Sequence, residues 1–551
     1  MTDALDAGGG NSDLASQAED AGRDRRDPFE WIVLAGLTGL AFAVLVGLLV
    51  RTSVKGGFVT GGDGYLVVDP LQYLNWIRQS SQHLAAANLY DFGPLDYTFV
   101  HPGILISGLA YRLGLGLVAS YALAKPVAVL AIFFGVTRLV HRFIEPKADR
   151  RLALVLALFY CAPAAAIAGW TLKPWAAAKF QLDFAGGETW TGSYMWGYVF
   201  TAVAVGLVAI GILSWESART GDRRALGVTA ACALFAAWLQ PWQGATLVAV
   251  VLLVELIRFV SRAETASFWT VAGRAGLVVG SALVPLVYYL VLSKTDPAWE
   301  LAGKANDLPR WPVWVLLATL LPLALPAAWS YRPGGGRWGD AGSVALRVWP
   351  LAALAVYYAP LGTFPFHAVQ GIQFPLAVLA VLAVRDLLGD GRQRLGLLIG
   401  LSCAAVLILP GTIYRVVQMK DAVNAGLQPF FLTDDEHAAL EYLNDATAPG
   451  GVMTENYLGT VIPAYTGRQT WLGAGSWSPN FETRRKNLDR LFAGQLTDQA
   501  ARDLIVRPGA GFILEDCRAD PRFFSQVRPF TEIVWKRGCV TVLKIKGVPA
   551  R

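Results

Sequence analysis

Apolar stretches of about 20 residues recur along this chain, and no other feature limits its fold as much. A helix of that length rises about 30 Å, the thickness of a bilayer's hydrocarbon core. Inside hydrocarbon each backbone N–H and C=O must be bonded within the structure, which helices achieve alone. Eleven spans are read at 31–50, 117–137, 152–172, 197–214, 226–241, 243–259, 275–293, 311–330, 348–362, 372–385 and 395–414. The pair meeting at Gln240-Pro241-Trp242-Gln243 is short and reads as broken or re-entrant. Composition agrees: 54% of residues are hydrophobic and 16% charged, below the roughly 25% charge of soluble domains. Mean hydropathy is +0.43. The expected fold class is therefore a polytopic α-helical membrane protein. Residues 1–29 are polar and Gly/Ala-rich and read as disordered, with no cleavable signal peptide, because the first apolar run is long enough to span.

The net charge of +6 does not point to nucleic acid, because the basic residues sit mostly in short loops. There they report orientation. Arg23, Arg25 and Arg26 precede span one; Arg142, Lys147, Arg150 and Arg151 follow span two; Arg219, Arg223 and Arg224 follow span four. Three further alternate loops repeat the pattern, while the loop 294–310 breaks it with Lys294, Lys304 and Arg310. The rule predicts a cytoplasmic N-terminus and, with an odd span count, an outer C-terminus, in a plasma (inner) membrane. Two regions then lie outside: the loop 51–116, and the tail 415–551, leaving 30–414 as the membrane domain.

The tail is long enough for a small domain of its own. Thr433 followed by Glu436 is a capping-box pattern before an amphipathic helix. GGVMTEN and GAGFILED read as strands, LTDQAARDLIV as a helix, and EIVWKRGCVTVLKIK as a hairpin turning at Arg537-Gly538. The expectation is a small α/β domain. Cys161, Cys232 and Cys403 fall in spans as small hydrophobes, while Cys517 and Cys539 lie in the tail, either disulfide-bonded or as two separate buried thiols.

Two acids follow the first span, Asp63 in Gly61-Gly62-Asp63-Gly64 and Asp69 at the head of Asp69-Pro70-Leu71-Gln72-Tyr73. Asp can cap a helix and Pro opens one. Leu71, Leu74, Trp76 and Ile77 give that helix an apolar face, with Asn75, Arg78 and Gln79 opposite, as in a helix lying on a membrane surface. In the bland reading Asp69 is a cap and Asp63 a turn residue bonded to its own backbone.

An acid opening a surface helix in a large first outer loop, with Tyr four residues on, resembles the GT-C superfamily of membrane glycosyltransferases. The resemblance covers the plan of the whole chain; the motif is short. Lipid-A aminoarabinose transferases and protein O-mannosyltransferases carry Asp-Glu-x-x-Tyr there, whereas this chain has Asp-Pro-Leu-Gln-Tyr and lacks the second acid. What the resemblance implies is a sugar moved from a polyprenyl-phosphate donor to a glycan, lipid or protein acceptor of the cell envelope. Asp69 would be the general base, Asp63 the runner-up, and Gln72 and Tyr73 substrate contacts. It implies membrane lipids as partners and no cofactor, with no metal predicted although a divalent ion at Asp69 with Asp183 or Glu188 is conceivable.

Further candidates come from the residues themselves. Lys125 lies inside span two beside Pro126. An ionisable residue there either meets the donor phosphate or snorkels to the interface. His101, in Val100-His101-Pro102, contacts substrate or is structural. His367, Gln370 and Gln373 enter span ten at three-residue spacing, roughly on one helix face. Gln240 and Gln243 line a cavity or satisfy a broken helix. The loop 173–196 offers Lys173, Lys179, Asp183 and Glu188 among aromatics suited to sugar faces or to the interface. There is no P-loop, no G-x-G-x-x-G, no zinc spacing and no G-x-S-x-G. A transporter or flippase of lipid-linked glycans needs polar residues reaching both faces, and these gather on one. A non-catalytic envelope-assembly scaffold would leave Asp69 free to vary.

Overall fold

The computed structural model describes residues 27–172, 179–262, 267–334, 338–360, 365–389, 392–424 and 428–547. Residues 1–26, read above as disordered with the three arginines, and Lys173 lie outside the described residues, as do the side chain of Lys179 and part of the loop before His367.

Among the described residues nine helices are long and apolar enough to cross a membrane, or ten with one bent pair counted as a span. The eleven expected spans are corrected by two local features. Span three is split into Lys147–Phe159 and Pro163–Thr171, bent by 82°. Pro163 opens the second piece, where its missing N–H costs nothing. Span five is the helix Arg223–Leu239, whose 17 residues rise only about 26 Å. At Gln240 the chain is extended, and Pro241 starts the next helix, Pro241–Val260, so this segment is a tight turn between two helices. The chain is a multi-pass membrane protein.

The tail folds as an α/β unit. Strand β3 (Gly451–Met453) pairs parallel with β4 (Ala510–Glu515), and β4 pairs antiparallel with β6 (Val540–Ile545). The hairpin partner of β6 is β5 (Thr531–Arg537), with Gly538 at φ 57° in the turn. The Thr433 capping box forms, and Cys517 is bonded to Cys539. The helix Asn456–Thr466 was not legible: Pro463 inside it and a hydrophobic run without 3.6-residue spacing hid it.

The long first loop and the tail are joined. Strand β1 (Phe58–Val59) pairs antiparallel with β2 (Phe431–Leu432). The predicted surface helix is Val68–Ser80, but it does not lie on a lipid surface. Leu71, Leu74 and Ile77 are buried, and so are Gln72, Asn75 and Gln79 on the polar side. The tail helix Asn456–Thr466 and the helix Pro102–Arg112 cover it. Arg78 reaches out from it to Tyr465 O (3.0 Å) and Asn444 Oδ1 (2.6 Å). Its amphipathic pattern therefore marks protein packing on both faces, with amide pairs such as Gln79 Nε2 to Asn75 Oδ1 (3.1 Å) bonded internally.

Candidate functional site

Asp69 occupies the second position of the helix Val68–Ser80, and its side chain makes no capping bond. The capping reading is thereby set aside. Its Oδ2 instead accepts from Tyr198 Oη at 2.8 Å. Tyr198 immediately precedes the helix Val199–Ala218, so one span's first turn holds the acid of another segment. A glycine makes the approach possible: Gly64 has φ 94°, and a Cβ there would sit 2.9 Å from Gly197 backbone, the residue next to Tyr198. Asp69 is half-buried, and desolvation pushes its pKa up, as does the charge of Glu188; the Tyr198 bond and His367 pull it down.

Behind this pair lies a buried polar cluster. Glu188 ends the helix Lys179–Glu188. Its Oε2 is 3.2 Å from His367 Nδ1 and 2.6 Å from Gln370 Nε2, which themselves approach to 3.0 Å. The His367 and Tyr198 rings are 5.1 Å apart. Gln243 fastens the backbone of this turn, donating Nε2 to His367 O (2.5 Å) and Gln370 O (3.1 Å). Gln373 Nε2 donates to Tyr194 Oη at 2.9 Å and Thr191 Oγ1 at 3.3 Å. The three polar residues at three-residue spacing thus join the segment 188–198 to the segment 365–373 beside Asp69. Glu188 is the second carboxylate whose charge reaches Asp69.

The other candidates fall differently. Asp63 and Lys125 are both 1% exposed and paired, Oδ2 to Nζ at 2.5 Å. The ammonium also donates to Met195 O (2.8 Å), Ala41 O (3.0 Å) and Trp196 O (3.3 Å). Three N–H bonds with four acceptors leave Lys125 nothing for a phosphate, and it does not snorkel. Asp63 is spent as its counter-ion, not as a turn residue. His101 caps the helix Pro102–Arg112, accepting from Ile104 N at 3.2 Å, with Nε2 3.4 Å from Leu239 O. Burial lowers its pKa to about 4, so it stays neutral at pH 7. Tyr73 packs in an aromatic group with Trp76, Tyr121 and Phe200. Gln72 is buried, and neither of its amide atoms meets a partner among the described residues. Gln240 donates to Thr201 Oγ1 at 3.2 Å. Asp183 pairs with Arg415 at 2.7 Å. Arg415 lies one residue beyond the last expected span, 395–414, whereas the helix runs Gln393–Asn424. Among the described residues no group of three or more His, Cys, Asp or Glu is placed to hold a metal ion.

No family model and no curated protein matches the sequence. Solved structures do match the fold. The oligosaccharyltransferase from Archaeoglobus fulgidus in its apo form aligns at TM-score 0.53 and 11% identity, over 89% of this chain and 70% of that one. The arabinofuranosyltransferase AftD from Mycobacteria aligns at 0.55 and 15%, over 92% of this chain. The chain spans about two-fifths of the length of AftD, 40%. ArnT from Cupriavidus metallidurans, solved with undecaprenyl phosphate, aligns over 95% of this chain and 100% of that one, at 13% identity and a TM-score of 0.48. The fold of the oligosaccharyltransferase and of AftD is the fold of this chain.

Proposed function

We propose that this protein is a membrane glycosyltransferase that moves a sugar from a polyprenyl-phosphate donor to an envelope acceptor, with Asp69 as general base. The observation that carries the reading is the placement of Asp69: it is held by Tyr198 beside the buried Glu188–His367 pair, and not used as a helix cap. A desolvated carboxylate with a raised pKa is a stronger base than one in water. It accepts the proton of an acceptor hydroxyl as that oxygen attacks the anomeric carbon. The site sits at the end of the helical bundle that carries the long loop 51–116 and the tail. By the distribution of Arg and Lys this is the outer face, where a lipid donor can enter from the membrane.

The test is mass spectrometry of envelope glycans and glycolipids in wild type, a deletion strain, and the deletion carrying Asp69→Asn at matched protein level. A glycan one sugar shorter in the deletion, not restored by Asp69→Asn, is the expected result. Full restoration would remove Asp69 from the chemistry. No change in any glycan would move the transporter and scaffold readings ahead.

A further inference from the structure

We propose that the tail holds a proton-dependent latch: a proton shared between Glu455 and Asp516 keeps the helix Asn456–Thr466 closed on the helix Val68–Ser80 that carries Asp69, and its loss as pH rises loosens that closure. The inference stands apart from the transferase reading, because it concerns how the tail is held and not what the site does.

Glu455 directly precedes the helix Asn456–Thr466 and gives it no side-chain cap. Its carboxyl instead lies within hydrogen-bond reach of Asp516, the residue after β4. Two carboxylates have no hydrogen to share, so a bond at that place needs a proton. Tyr457 sharpens the shortage. Its hydroxyl meets both Asp516 Oδ2 and Glu436 Oε1, and it has one hydrogen to give. Glu436 comes from the helix Asp434–Asp445, where its Oε2 already accepts from Thr433 N at 2.6 Å. Glu436 is 2% exposed and Asp516 6%.

Charge points the same way. Arg518 Nε is 3.2 Å from Asp516 and Nη1 is 3.8 Å from Glu455. One cation against three carboxylates leaves negative charge uncompensated in a largely buried cluster unless a proton is kept. Asp489, of the helix Phe481–Phe492, adds another negative charge facing Glu455. Glu515, at the end of β4, senses Asp516 and Lys536. Burial first, then the charge of Asp516, push Glu455 up to about 7. The helix N-terminus favours an ionised Glu455, but a carboxylate at contact distance outweighs it.

The helix that starts at this cluster packs against Val68–Ser80. Thr460 O accepts from Tyr90 Oη and Tyr465 O from Arg78 Nη1, each at 3.0 Å. A second full charge beside Asp516 drives the start of the helix away from β4 and strains those contacts. The closed tail binds the proton more readily than an opened one. Closure is therefore tightest below the ordinary carboxylate range and weakens as pH rises from there to about 7. His437 acts in the opposite sense. Its ring stacks on Phe58 at 3.7 Å, burial lowers its pKa, and its protonation loosens the tail at acidic pH.

The experiment is hydrogen–deuterium exchange of the full chain in lipid nanodiscs at about pH 5 and about pH 8, on either side of the shifted carboxyl. Rates are corrected for intrinsic exchange, and the amides of residues 456–466 are read against those of β6. Wild type should lose protection in 456–466 by about tenfold or more at the higher pH. Glu455→Gln keeps a donor to Asp516 without a titrating proton, so it should hold its protection at both pH values. Asp516→Asn should do the same, and carries the test if Glu455→Gln does not fold, with unchanged β6 protection as the sign of folding. Equal wild-type protection at both pH values overturns the latch, as does a wild-type pH dependence in a folded Glu455→Gln protein. Protection that falls at the acidic pH instead overturns it and assigns the response to His437.

Discussion

Asp69 and Tyr198 are joined by one hydrogen bond, and its removal has a readable sign. Tyr198 donates to the carboxylate and favours its ionised form. Tyr198→Phe should shift the acid limb of the pH–rate profile to higher pH and lower the rate at pH 7 by roughly tenfold. An unchanged profile would mean the bond does not tune the base. Asp69→Asn should abolish transfer, a loss on the order of a hundredfold or more. Its effect on stability runs the other way. The folded-state pKa of Asp69 is raised, so the folded chain binds the proton more readily than the unfolded chain. The ionised carboxylate therefore opposes folding above its folded pKa, and that cost is absent at pH values below its ordinary range. At neutral pH the Asn protein should melt at the same temperature as wild type or higher, in a thermal unfolding assay. A marked drop would show that the carboxylate holds the site together.

At the scale of elements, the Asp63–Lys125 pair does the fastening. It ties the loop 61–64 to the first span through Ala41 O, and to the segment that delivers Tyr198 through Met195 O and Trp196 O. Removing one partner leaves a buried charge uncompensated, which costs about 3–5 kcal/mol. Lys125→Met and Asp63→Asn should each destabilise the protein by roughly that amount. The double variant should cost clearly less than their sum, because the second change removes the charge that the first orphaned. The measurement is a double-mutant cycle of thermal or denaturant unfolding in detergent; strict additivity would refute the coupling. In the sequence Lys125 stood out correctly as an ionisable residue in a span, but its partner did not. Asp63 lies 62 positions away, and only packing of the loop onto the span brings the two together.

For the whole molecule, the tail and the first loop form one body with the helical bundle. Strand β1 pairs with β2, Tyr465 Oη donates to Thr60 O at 2.9 Å, and Arg484 meets Asp91 at 2.8 Å. The disulfide Cys517–Cys539 closes a loop with a sequence separation of 22 next to the sheet. Loop entropy predicts that its replacement by two serines costs about 3 kcal/mol. Limited proteolysis should then cleave the tail faster while the membrane helices stay intact; equal rates would show that the sheet holds without it.

What the sequence by itself determined is what depends on short-range pattern. Apolar length specified the membrane helices, the Thr433–Glu436 spacing specified a helix start, and Arg537-Gly538 specified a hairpin. Asp69 was legible because its position at the head of a helix after the first span is a local fact. The tertiary structure alone decided that this acid is not a cap, by bringing Tyr198 to it from 129 residues away. It also decided that Glu188, 179 residues before His367, meets that histidine, and that Lys125 pairs with Asp63. The span count fell from eleven because a bend between Phe159 and Pro163 and a helix of only 17 residues are geometric facts that hydropathy does not register. Periodicity encodes which face of a segment is buried; it holds no record of which distant polar group will meet it there.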